Sequence, residues 1–191
     1  DYPGITAMFF QGCGADQNPL PRRSVGLAKQ YGRELAAAVE NVIENGGVPL
    51  ASELQTSYDE IDLFFSEPPS LEALDKTSRA PSAYQRRWAE RQLDERARGM
   101  LPPKSYPFPM QVWRLGEQAI FVLGGEVVVD YVVALKRIFG QDIFVLGYAN
   151  DVMGYIPSTR VLREGGYEAL SSQIVYGLPA AWRADIEALI L

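Results

Sequence analysis

Hydrophobic positions along the chain change period several times, and each change marks a predicted element. Ile5 to Phe10 is an apolar run closed by Gly12-Cys13-Gly14, which predicts a buried strand feeding a glycine-bearing loop. Ala28, Tyr31, Leu35, Val39, Val42 and Ile43 then recur at three- and four-residue spacing. That period predicts a helix, with Ser24 as its N-cap and Asn45-Gly46-Gly47 as its stop. Glu53 to Phe65 alternates as a strand does, but the phase of Leu54, Thr56 and Tyr58 passes to Ile61, Leu63 and Phe65, which predicts a bulge near Asp59-Glu60.

Residues 66–82 hold Pro68, Pro69 and Pro81 and few large apolar side chains, the pattern of an exposed excursion. Tyr84 to Gly99 carries Arg86/Glu90, Arg91/Glu95 and Asp94/Arg98 at i,i+4 spacing, with Ala89, Leu93 and Ala97 on one side. It predicts an exposed, solvated helix within an excursion spanning about 66–105. Pro102 to Pro109 reads as a stiff connector. Met110–Leu115 and Gln118–Leu123, joined by Gly116-Glu117, predict a hairpin. Val127 to Phe139 fits a helical period that Gly140 ends, Asp142 to Leu146 is a short buried strand, and residues 147–158 form a loop. After an irregular stretch through Glu168, Ala180 to Leu191 predicts a closing helix.

Strands that repeatedly run into polar, glycine-bearing loops and helices predict an α/β fold, a mixed, mainly parallel sheet flanked by helices. The loops at Gly12–Asn18, Gly124–Glu126 and Gly147–Tyr155 converge if their strands are parallel neighbours. They would then gather Asp16, Asn18, Glu126, Asn150, Asp151 and Tyr155 around one cleft. Glu126 directly precedes the predicted helix, where unpaired N–H groups favour an ionised carboxylate suited to a divalent cation. Position alone serves equally well to stabilise that helix.

At 191 residues and 47% apolar content, the chain suits one compact domain or a large piece of a bigger one. A net charge of −6 argues against nucleic acid, whose binding rests on clustered Lys and Arg. No apolar run reaches the roughly 20 residues of a membrane span. The chain opens on Asp1 without an initiator Met, so a processed or truncated N-terminus is expected. Cys13 is the only cysteine, which excludes an internal disulfide and Cys-rich zinc modules. With no histidine anywhere in the sequence, Cys13 reads as a small buried residue rather than a nucleophile. Gly12-Cys13-Gly14-Ala15-Asp16-Gln17 lacks the third glycine of a dinucleotide fingerprint.

Phe9-Phe10-Gln11-Gly12-Cys13-Gly14-Ala15-Asp16-Gln17-Asn18-Pro19, Val122-Leu123-Gly124-Gly125-Glu126, and Gly147 to Ser158 followed by Gly166-Tyr167-Glu168 occur in that order. Together they resemble consecutive blocks of the neutral/alkaline non-lysosomal ceramidase family. The blocks span most of the chain, and residues 66–105 are the least similar. The resemblance implies the C-terminal part of a single ceramidase-like catalytic domain, 1–191, incomplete because its N-terminal part is missing. It implies hydrolysis of the amide of ceramide or a related N-acyl lipid at a zinc ion held by two histidines, a glutamate and a tyrosine. By motif the glutamate falls on Glu126 and the tyrosine on Tyr155, which ends the Asn150 to Tyr155 pattern. Both histidines would lie upstream of this chain. Asp16 would orient the site, and Asn18 stands where the family has a serine that assists the reaction. Asparagine is no nucleophile, but its amide can donate to an oxyanion. The residues leave open a different amide or ester substrate, or a binding module without catalysis. Secretion or periplasmic location follows only from the resemblance, and no pattern specifies an oligomeric state.

Overall fold

The computed structural model describes residues 2–191. Its element order is α1 (Val25–Asn45), β1 (Leu54–Phe64), α2 (Leu71–Thr77), α3 (Ala83–Ala97), β2 (Ser105–Leu115), β3 (Gln118–Leu123), β4 (Glu126–Val127), α4 (Asp130–Phe139), β5 (Phe144–Leu146), β6 (Tyr155–Ile156) and α5 (Thr159–Glu164). A π-helical turn (Tyr167–Ser171), α6 (Ser172–Tyr176) and α7 (Ile186–Ile190) complete it.

The organising unit is the β2–β3 hairpin. Leu115 pairs with Gln118 across the two-residue turn, and Gly116 takes the positive φ of 62° that its first position requires. β1 lies antiparallel on the other side of β2, and β5 joins β3 in parallel, giving the order β1-β2-β3-β5. The fold is therefore α/β with a mixed sheet flanked by helices, but the sheet is mostly antiparallel rather than mainly parallel. The cause is connection length. A two-residue turn returns a strand antiparallel, whereas a parallel neighbour needs a crossover, which only the segment containing α4 supplies between β3 and β5. β4 and β6 form a separate parallel pair.

β1 carries no bulge. Its register with β2 runs one for one from Leu54↔Leu115 to Phe64↔Ser105. The apparent phase change arises because residues 54–60 are exposed on both faces, so only Ile61, Leu63 and Phe65 report the core side. β2 begins inside the predicted connector and includes Pro107 and Pro109. β3 pairs only from Met110 onward, so neither proline interrupts a β2–β3 pair.

One large core joins Leu63, Phe65, Phe108, Leu123, Val127, Tyr131, Val145, Ile156, Trp182 and Ile186. Residues 66–105 are mostly exposed, yet they hold α2, which has no counterpart in the sequence pattern, and α3. Leu74, Trp88 and Ala89 form a second small cluster against Ile174. Trp88 Nε1 donates to Leu178 O at 2.7 Å and Gln92 Nε2 to Pro179 O at 3.1 Å, which ties this helical pair to the C-terminal segment.

Three further predictions are corrected. Ile5 to Phe10 forms no strand and is exposed, Met8 at 75% and Phe9 at 73%, because no facing layer covers it. The helix drawn over 127–139 begins only at Asp130, and Glu126–Val127 pair as β4. The closing helix shrinks to α7, since Ala181 and Arg183 hydrogen-bond to Ser66 and Phe64 and keep residues 181–183 extended beside the end of β1. There Trp182 stacks on Phe65 with ring centres 4.6 Å apart. α1 does form with Ser24 as its cap, donated to by Leu27 N at 3.2 Å, but it buries no residue.

Candidate functional site

Gly124 and Gly125 let the chain lie flush against residues 151–156. A Cβ on Gly124 would sit 2.7 Å from Pro109 Cγ, and one on Gly125 would sit 2.6 Å from Ile156 Cγ1. Gly125 also has φ of 71°, where a side chain is strained. The close approach is sealed by Gly125 N donating to Asp151 O at 2.7 Å and Glu126 N to Gly154 O at 2.8 Å.

The result is the β4–β6 ladder, in which Glu126 is the register partner of Tyr155 and Val127 that of Ile156. Side chains alternate along a strand, so each pair shares a face. Val127 and Ile156 are fully buried, and the opposite face presents Glu126 and Tyr155 together, both half-buried. The three glycine-bearing loops do converge here. Ala15 N donates to Val127 O at 3.3 Å, Tyr148 N to Gly125 O at 2.9 Å, and Gly147 N to Gln11 O at 3.1 Å.

Glu126 is ringed by phenols. Tyr148 OH donates to Oε2 at 3.1 Å, and Tyr176 OH donates to Oε1. Tyr155 packs edge-on against Tyr167 and Tyr176, with ring centres 5.3 Å and 6.2 Å away. Burial and then the Glu126 charge push the Tyr148 hydroxyl up to about 12. Burial, followed by the hydrogen bond and charge of Glu126, raises Tyr155 and Tyr176 well above the ordinary phenol value. At neutral pH all three stay protonated, and Tyr148 and Tyr176 act as donors to the one carboxylate.

The other predicted residues lie on the converging loops, away from the Glu126 carboxylate. Asp16 accepts from Val129 N at 2.9 Å at the start of α4, and its second oxygen lies 3.9 Å from Arg160 Nη2. It thus occupies the helix N-terminal position expected of Glu126 and makes no hydrogen bond to Glu126 or Tyr155. Asn18 is exposed and has no hydrogen-bond partner among the described residues. Asp151 accepts from Tyr106 OH at 2.7 Å, and Asn150 faces Gln111 at 3.4 Å. Cys13 is buried, and burial followed by the Asp16 charge pushes its thiol up to about 12. It is inert packing, in line with the reading of the residues.

Tyr176, fifty positions from Glu126, carries no sequence signal that links the two. Tyr148 and Tyr167 lie inside recognisable blocks without a role assigned to them. Beside Tyr148, a groove of about 380 Å³ is lined by Phe9, Phe10, Trp113, Val122 and Leu146, with Phe10 edge-on to Trp113.

No group of three or more His, Cys, Asp and Glu side chains is placed to hold a metal among the described residues. The donors around Glu126 are all oxygen. A carboxylate has about four lone-pair sites, and two phenol donors leave the others for a cation. Glu126 and Tyr155 therefore fit as two oxygen ligands, and a zinc site would draw its nitrogen ligands from elsewhere. Comparison with protein-family models, curated proteins and solved structures gives no match to the chain.

Proposed function

We propose that this chain is the C-terminal part of the catalytic domain of a zinc-dependent amidohydrolase of the neutral ceramidase type, acting on ceramide or a related N-acyl lipid. The observation that carries the reading is the pairing of Glu126 with Tyr155 across the β4–β6 ladder. Two residues 29 positions apart, each named by motif as a metal ligand, share one face with their functional groups adjacent. Two histidines from outside this chain would complete the set, and the bound zinc would supply Lewis-acid activation of water.

The chain's own residues divide the remaining work. Glu126 contributes anionic charge, and Tyr155 a phenol beside it. Asp16 pins its loop to α4 and so fixes where Asn18 emerges. Asn18, unengaged by neighbours, can offer its amide to a developing oxyanion. Asparagine at the position of the family's serine favours a second reading, in which another amide or an ester is the substrate. Loops of this kind set specificity independently of the fold.

Metal analysis of the complete protein tests the first reading. Zinc is expected at one per chain and lost in the Glu126→Ala, Tyr155→Phe double variant. Full zinc in that variant would sink the assignment. Assays on ceramides beside simple N-acyl amines and esters separate the substrates, and ceramide turnover at the level of a serine-bearing enzyme would remove the case for the second reading.

A further inference from the structure

Glu126 is held by two phenols that come from different parts of the chain, Tyr148 from the loop after β5 and Tyr176 from the end of α6. They grip opposite oxygens of one carboxylate. A Glu side chain gripped on one oxygen can still rotate about its last torsion, whereas donors on both oxygens fix its plane. The backbone accommodates this grip at a cost. Tyr148 has φ of 57°, a left-handed conformation unfavourable for a bulky residue, and its N–H is anchored to Gly125 O at 2.9 Å. Glycine or asparagine would suit that backbone better, so the phenol itself is the reason for a tyrosine there. Tyr176 is placed by Gly177, whose φ of 78° ends α6 and whose carbonyl accepts from Arg91 of α3.

We infer that Tyr148 and Tyr176 are positioning residues that orient the Glu126 carboxylate toward a bound zinc ion. The inference rests on the zinc reading given above. Partners that orient a metal ligand typically contribute about 10- to 100-fold in metal affinity. Each phenol leaves the second lone pair of its oxygen available, so the ring of donors and the cation occupy different sites on the same carboxylate.

The experiment is zinc titration of the metal-free complete protein against a chromophoric chelator, for the parent, Tyr148→Phe, Tyr176→Phe, the double variant, Glu126→Gln, and Tyr84→Phe on exposed α3 as control. Phenylalanine removes one oxygen and keeps the ring packing. Zinc dissociation constants are expected to rise roughly tenfold in each single variant and further in the double variant. Tyr84→Phe is expected to match the parent, and the metal-free melting temperatures of the Phe variants should stay near it. If Glu126→Gln abolishes zinc binding while both Phe variants bind within twofold of the parent, the positioning role falls and the zinc reading stands. Zinc binding unchanged in Glu126→Gln overturns both. A melting temperature that falls while zinc affinity is retained assigns the phenols to packing alone and likewise overturns the inference.

Discussion

Asp130 is a partly buried carboxylate whose partners have consequences for stability. Burial by itself would raise its carboxyl, but the hydrogen bonds from Arg160 and Ser158 outweigh that and hold it below the ordinary value. Arg160 Nε and Nη2 donate at 3.0 Å and 3.1 Å, and Ser158 Oγ also donates while capping α5. A folded pKa below the unfolded one means stability that is fully present above the unfolded value and lost as pH falls through the folded value. Asp130→Asn is therefore expected to lower stability at neutral pH by about 1.5 to 3 kcal/mol, the range for a hydrogen bond to a charged group. It should also flatten the acid limb of stability against pH, as denaturant melts between neutral and acid pH would show. An equally steep acid limb in the variant would refute the linkage. Cys13 makes the complementary case. With its thiol pushed up to about 12 by burial and the Asp16 charge, iodoacetamide at mildly alkaline pH should leave it unmodified in the folded chain and alkylate it on unfolding.

At the scale of elements, the site depends on two glycines and one satellite of helices. Gly125→Ala would add a Cβ 2.6 Å from Ile156 at a φ of 71°. Overpacking of this kind costs about 1 to 3 kcal/mol, with roughly 1 kcal/mol more for the left-handed backbone. The expected outcome is a clearly lowered denaturation midpoint, measured by circular dichroism, together with loss of the Glu126–Tyr155 register. Leu74→Ala, by contrast, removes the centre of the α2–α3 cluster at a cost of about 2 to 5 kcal/mol, the usual span for burying an alanine in place of leucine. Limited proteolysis should then cut within residues 66–105 before the sheet is attacked. Simultaneous cleavage in both regions would show that the two clusters unfold as one.

Across the whole molecule, the sheet is covered unequally on its two sides, the outer one burying Val122 near Phe10 and Trp113. Its inner face carries Leu63, Phe108, Leu123 and Val145 into the core, while Leu54, Tyr58 and Phe144 remain exposed on the other. α1 shows an apolar stripe of Leu35, Val39, Val42 and Ile43, all exposed. Residues that bury nothing contribute little to folding, so Leu35→Ser with Val39→Ser is expected to change stability by no more than about 0.5 kcal/mol per substitution. The same variant should bind less of a fluorescent apolar dye. A loss of several kcal/mol would mean that α1 packs in solution. Among the described residues, no helix is long and apolar enough to cross a membrane.

Local chemistry was legible in the sequence wherever neighbours in the chain decide the conformation. Ser24 and Gly46 bound α1 and Gly116-Glu117 makes the hairpin, because caps and turns depend on side chains only a few residues apart. The α/β class was legible as strands and helices separated by glycine-bearing turns, whereas the three loops meet through long-range hydrogen bonds although Ile5 to Phe10 forms no strand. Strand direction, burial and partnership were decided by tertiary structure alone. The apolar run Ile5 to Phe10 has the composition of a core strand, but burial requires a facing layer, and composition cannot supply one. The phase change in β1 looked like a bulge because alternation does not reveal where the core stops. Glu126 read as a helix-start acid, yet its ladder with Tyr155 and the loan of that helix position to Asp16 arise from pairings across long stretches of chain. Tyr176 reaches Glu126 only because α6 folds back over β6, a non-local contact with no trace in spacing or periodicity.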